Sequence, residues 1–194
     1  MLVLCLGNDL LRDDGVGWAI ADELERRLSA GCHSSRHSGS LVCQSRVPSP
    51  EPRVPSPESR IPTPESRVLV KRSALSGFYL LDELTGWDRA VVVDAVQTGR
   101  HPAGTVLSFP FESLRSDAGP SPHAVGLPTV VRLGRQSGVP LPGWIHVVAV
   151  ETEDMVSCVE GLTPAVARAG PAAVEAVLSV LARAPAPAHA AAEA

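Results

Sequence analysis

The side chains of this chain best suited to chemistry are acids and one imidazole placed where apolar runs end. The run Met1 to Leu6 breaks at Gly7-Asn8, and the loop that follows carries Asp9, Asp13 and Asp14 before a helical pattern begins. Asp94 closes the β-branched run Ala90 to Val93, and His123 follows Ser121-Pro122 at the entry to another helical stretch. A carboxylate at the end of a buried strand is costly unless it is paired or coordinated. A neutral imidazole is suited to metal ligation or to general base work. Brought together, such groups would hold a hard or borderline cation, or move a proton. Their spacing alone does not make them a set, because they come from three distant parts of the chain.

Each group also has an ordinary reading. The loop Gly7 to Gly17 lacks the G-x-G-x-x-G spacing of a dinucleotide site, and its aspartates would repel a phosphate from the helix N-terminus. Acids in a first helical turn are stabilising by about 0.3–1 kcal/mol each, and for Asp13 the reading as a helix N-cap is preferred. Asp94 would serve equally as a cap for nearby backbone amides. A lone histidine is more often an ordinary surface or core residue.

The elements that must position these groups follow from hydrophobic periodicity. Met1 to Leu6 reads as a buried strand feeding a helix with Val16, Ile20, Leu24 and Leu28 near one face, ending near Gly31. Val68 to Val70 is a short strand, followed by a helical stretch with Phe78, Leu80, Leu81 and Leu84. Ala90 to Val93 is a strand buried on both faces, and Gly104 to Phe109 is another. Ser116 to Pro122 is a loop before a helix with Val125, Val130, Val131 and Leu133. Trp144 to Val150 is the last strand, ending at Glu151 before a loop with Glu153, Asp154 and Glu160. Thr163 reads as the N-cap of a final helix with Pro164 at its first position. The order β-α-β-α-β-β-α-β-α predicts an α/β fold, a mainly parallel sheet between helices. In such a sheet, ligands bind beyond the carboxyl ends of the strands, where Gly7–Gly17 and Asp94 both fall.

Composition narrows the classes. With 194 residues, 44% of them apolar, and a formal charge of −4, the chain is expected to form one soluble globular domain. No basic patch invites nucleic acid, and neither a signal peptide nor a membrane span is indicated, so a cytoplasmic location is expected. Cys5, Cys32, Cys43 and Cys158 show no C-x-x-C spacing and are expected to be reduced. Cys32, His33, His37 and Cys43 lack the spacing of a zinc site and read as linker.

Residues 46–66 are three copies of a seven-residue unit, R-V-P-S-P-E-P, R-V-P-S-P-E-S and R-I-P-T-P-E-S, and their seven prolines exclude a helix. Residues 30–66 are therefore a low-complexity insert in a domain spanning 1–181, and residues 182–194 are an Ala/Pro tail expected to be disordered. Surface loops accept insertions at little thermodynamic cost, so excising 30–66 is expected to leave folding and activity intact.

Five blocks, L-C-L-G-N-D-L-L-R-D-D-G-V-G, V-V-V-D-A-V-Q-T-G, P-A-G-T-V, S-P-H-A-V-G-L and E-G-L-T-P-A-V, stand in the order and spacing of the hydrogenase maturation endopeptidases. The chain resembles that family over nearly its whole length outside the insert and the tail. The resemblance implies a three-layer α/β/α, phosphorylase/hydrolase-like domain. It implies removal of a C-terminal extension from the large-subunit precursor of a nickel–iron hydrogenase after nickel insertion. It maps the family's metal-contacting residues onto Asp14, Asp94 and His123, which would grip nickel carried by the substrate; no tightly bound cofactor of its own is expected. A monomer acting without nucleic acid or membrane is expected.

The alternative within the same family is a non-catalytic relative that acts as a metal-dependent binding or assembly factor for a metalloprotein precursor. A nucleotide-binding or phosphorylase-type enzyme on the same architecture is the other reading, since fold does not specify chemistry. The chain departs from the family in three places. Lys71 to Gly77 stands where many relatives carry an acid and a Gly-Gly-Thr-like loop, Asp14 stands where Glu is common, and Ala124 stands where Gln is common.

Overall fold

The computed structural model describes residues 1–32, 68–114 and 126–186. The 30–66 insert, apart from its first three residues, the Ser116–Pro122 loop, His123, Ala124 and the last eight residues lie outside them. The strands are β1 (Leu2–Leu6), β2 (Leu69–Ser73), β3 (Arg89–Val96), β4 (Val106–Pro110) and β5 (Trp144–Glu151). The helices are α1 (Val16–Cys32), α2 (Tyr79–Leu84), α3 (Leu127–Gln136) and α4 (Pro164–Arg183). This is the order read from periodicity.

The strands form one sheet in the order β2-β1-β3-β5-β4, parallel except for β4, which pairs antiparallel with β5 at the edge. Alternation along each strand assigns the two faces. Val3, Cys5, Val91 and Val93 pack with Ile20 and Leu24 of α1 and with Val174 and Val177 of α4. Leu2, Leu4, Ala90 and Val92 pack with Leu80 and Leu84 of α2 and with Leu127 and Val131 of α3. Each strand of the centre thus feeds both cores, which is why β1 and β3 read as unbroken apolar runs. Helix α4 is long and apolar enough to cross a membrane by length and composition, but its apolar side belongs to the first of these cores.

The chain leaves β1 toward β2 on one side and leaves β3 toward β4, at the far edge beyond β5, on the other. The crevice between the carboxyl ends of β1 and β3 is therefore the topological switch point of the sheet. Helix α1 starts beside Leu6 and packs back along β1 and β2, while β2 begins beside the start of β1, where the Leu69 amide donates to the Met1 carbonyl at 3.0 Å.

Three local expectations are corrected. Strand β3 does not stop at Asp94 but continues to Val96, because β5 supplies partners as far as Glu151. Asp13 is not an N-cap: residues Arg12–Gly15 form a 3-10 turn ahead of α1, and the Asp13 carboxylate is engaged elsewhere. Thr163 does occupy the N-cap position of α4, yet its hydroxyl makes no capping bond and instead donates to Asp13.

Candidate active site

The loop from Gly7 to Gly17 is shaped by close backbone packing. Gly7 has φ +145°, and a Cβ there would sit 2.2 Å from the Asp14 carbonyl oxygen. A Cβ at Gly17 would come within 2.0 Å of the Leu6 carbonyl oxygen. Only glycine permits these approaches, so the chain turns off the end of β1 and folds back onto it within ten residues. The Asn8 side chain accepts the Leu10 amide at 3.0 Å, and the Gly7 amide donates to the Ser73 carbonyl at 3.1 Å, tying the loop to the end of β2.

The 3-10 turn of this loop lies against β3. It brings Asp14, 1% exposed, to the same rim as Asp94, also 1% exposed. Cys5 pairs with Val93, so Asp94 is one residue beyond the last paired position of β1, directly over the switch point. By alternation Asp94 follows Ala90 and Val92 and falls on the α2–α3 face. Its Oδ1 accepts its neighbour's amide, Ala95, at 2.9 Å. Both Asp14 and Asp94 have further interactions within the fold.

Helix α3, which in the sequence follows the histidine, has its N-cap residue Gly126 beside Gly77; a Cβ on Gly126 would be 3.5 Å from the Gly77 Cα. Of the three residues singled out by sequence, Asp14 and Asp94 are thus brought to one corner of the sheet, and His123 lies outside the described residues. Among the described residues no three His, Cys, Asp or Glu side chains converge as a ready-made metal cage.

Two further buried carboxylates frame the crevice. Asp13, fully buried, accepts the Thr163 amide at 2.7 Å, the Thr163 hydroxyl at 3.0 Å, the Asp154 amide at 3.1 Å and the Glu153 amide at 3.3 Å. Glu151 lies on the same sheet face as Asp94, one strand over, and accepts the Thr98 and Gly99 amides, both at 2.7 Å, and the Thr98 hydroxyl at 2.7 Å. It pins the β3–β4 connection. Neither role was read from sequence; for Asp13 the available signal was the Thr-Pro helix start 150 residues downstream, which offers donors that need an acceptor.

Arg12 is the sole described non-glycine residue with positive φ, +32°. Its conformation is held by its amide on the Val159 carbonyl at 3.2 Å and by the Asp13 amide on the Asp154 carbonyl at 3.0 Å. Asp154 sits below the usual carboxylate range because the Ser157 hydroxyl and amide bond to it, with Arg12 adding a smaller attraction. Strained backbone next to a buried acid pair is a mark of functional sites. Around this corner, exposed apolar side chains stand on three loops and at one helix start: Leu10 after β1, Leu75 and Phe78 after β2 with Tyr79 opening α2, and Val156 and Val159 after β5. All three loops leave carboxyl ends of parallel strands, so the apolar residues ring the rim that holds the carboxylates.

A family model described as hydrogenase maturation protease matches residues 64–180, a span that includes Asp94 and His123 and leaves out the loop of Asp14. None of the curated proteins matches the chain with significance. Among solved structures, the hydrogenase maturating endopeptidase HybD from Escherichia coli is similar with a TM-score of 0.65 and 24% identity, covering 93% of this chain and 91% of its own. The [NiFe] hydrogenase maturation protease HybD from Thermococcus kodakarensis is similar with a TM-score of 0.58 and 20% identity, covering 92% of this chain and 97% of its own. At these identities the likeness establishes the shared α/β architecture.

Proposed function

The chain belongs to the hydrogenase maturation proteases, and from that premise we propose that it removes the C-terminal extension of a nickel–iron hydrogenase large-subunit precursor once nickel is in place. The observation that supports the reading is that Asp14 and Asp94 are both buried on elements that touch each other at the switch point of the sheet. Carboxylates at that corner, with His123 completing the set, have the donor chemistry for a borderline cation such as nickel. The nickel is part of the substrate, held by the precursor. Two carboxylates and one imidazole leave coordination positions open, so the enzyme grips the metal without removing it and aligns the peptide bond beyond it. Cleavage then depends on metal loading, which makes nickel a checkpoint. One of the carboxylates serves as general base toward the attacking water.

The apolar rim supports the same reading from the side of the partner. A precursor polypeptide presents side chains as well as a metal, and Leu10, Phe78, Tyr79 and Val156 offer apolar contact beside the crevice.

The test is cleavage of nickel-loaded and nickel-free precursor by the wild-type chain and by Asp14→Ala, Asp94→Ala and His123→Ala. Cleavage of the loaded form alone is expected, with each variant slowed by about 100-fold or more. Wild-type rates from all three variants would remove the proposal. Binding of loaded precursor without any product from the wild-type chain would convert the reading to an assembly factor.

A further inference from the structure

We infer that Asp13 is a positioning residue for Asp14, and that it acts by locking the first loop to the start of α4. This rests on the reading of Asp14 as a residue that contacts the substrate's metal.

The geometry is unusual for an aspartate in the first turn before a helix. Its carboxylate ignores the amides of α1 and reaches across the rim to take four donors from the segment between β5 and α4: the amides of Glu153, Asp154 and Thr163, and the Thr163 hydroxyl. A carboxylate has about four acceptor sites, so Asp13 is close to saturated. Its own amide donates to Asp154 and the preceding amide, of Arg12, donates to Val159. The β5–α4 segment therefore holds the 3-10 turn through both backbone and side chain at consecutive residues. Asp14 is the next residue, its amide bound back to the Leu11 carbonyl at 2.8 Å.

The alternative device, the helix start itself, is not used. The 3-10 turn has no side-chain cap on its N-cap residue Leu11, and the strained φ of Arg12 would relax if the clamp were released. Thr163 supports this division of labour, because its hydroxyl forgoes the capping bond of its own helix to donate to Asp13. The position of Asp14 over β3 is thus set from the β5–α4 segment.

The experiment uses the full chain and nickel-loaded precursor at a temperature where every variant is folded by circular dichroism. Asp13→Asn keeps the shape but turns one acceptor into a donor facing amides, and Thr163→Val removes the hydroxyl while Thr163→Ser keeps it. Asp13→Asn is expected to lower kcat by about 10-fold or more with precursor KM within about twofold. Thr163→Val should lower kcat in the same manner, Thr163→Ser should restore it, and the double variant should fall short of the product of the single effects. Reduced melting temperature with unchanged kcat in Asp13→Asn and Thr163→Val would overturn the inference, as would a rise in KM alone. If Asp13→Asn does not fold, the Thr163→Val and Thr163→Ser pair decides. Asp14→Ala measured alongside separates the two claims: its retention of the wild-type rate would defeat the functional reading itself, whereas its loss of activity beside unimpaired Asp13→Asn defeats only the positioning role.

Discussion

Two loops meet at the same rim and are built in opposite ways. The first, Gly7 to Gly17, has its acids buried and its glycines pressed against backbone, with a Cβ at Gly7 only 2.2 Å from a carbonyl oxygen. The second, between β2 and α2, exposes Leu75 and Phe78, with Tyr79 exposed where α2 begins, and nothing stands within 4 Å of a Cβ on Gly77. They are joined by the bond from the Gly7 amide to the Ser73 carbonyl. The difference fits the different work proposed for them: a loop with no spare volume would hold Asp14 in place, and a loop with open space and exposed rings would adapt to a partner.

The sharpest test compares glycines. Both Gly7 and Gly77 have positive φ, but only Gly7 is crowded. Gly7→Ala is expected to cost about 3 kcal/mol or more, because backbone must shift to relieve the overlap. Chemical denaturation measures it, and a cost below that of Gly77→Ala would break the comparison. Next in size is a double change at the rim. Phe78→Ser with Tyr79→Ser should raise the KM for precursor by about 10-fold, from lost apolar burial in the complex. The stability of the free protein should change little, since both rings are exposed and serine is acceptable at the N-cap position that Phe78 holds. Unchanged KM would leave the second loop without a role in binding. Gly77→Ala follows, expected to lower stability by about 1 kcal/mol from backbone strain alone.

The smallest effect concerns thiols. Burial pushes the Cys5 thiol up to about 12 from its usual 9.0, while Cys158 is exposed. Iodoacetamide at pH 8 should label Cys158 in the folded chain and spare Cys5, as read by peptide mass. For Cys5 the sign is that of a raised pKa: the neutral thiol favours folding fully below pH 9, and that contribution is lost as pH rises from 9 to about 12. Labelling of Cys5 at the rate of Cys158 would mean that β1, and with it the first loop, opens readily.

Much of the architecture was legible because the strands of the centre are buried on both faces, and runs such as Ala90 to Val93 announce themselves without alternation. The corner holding Asp14 and Asp94 was legible for the same reason, since strand ends in a parallel sheet share a rim. What was not legible depends on contacts between distant residues. Asp13 looked like a helix cap because its real partners are 140 to 150 residues away. Phe78 looked like part of an apolar helix face with Leu80 and Leu84, yet it is 64% exposed while those two are fully buried. Periodicity cannot tell a ring kept outside from one kept inside when they are two positions apart on a short helix. Asp94 looked terminal because the apolar run stops there, whereas the strand is prolonged by pairing with Ala149, Val150 and Glu151.

The route of α1 separates two kinds of evolutionary change. Because the helix departs from the carboxyl end of β1 and returns along it, and β2 starts beside Met1, the junction between Cys32 and Val68 is rooted at the opposite end of the sheet from the acids. Copies of a short repeat can accumulate there while the machinery at the far end stays under its own selection. The same junction is a natural port for an affinity tag or a fluorophore, because its two roots, Cys32 and Val68, stand away from the rim that carries Asp14 and Asp94.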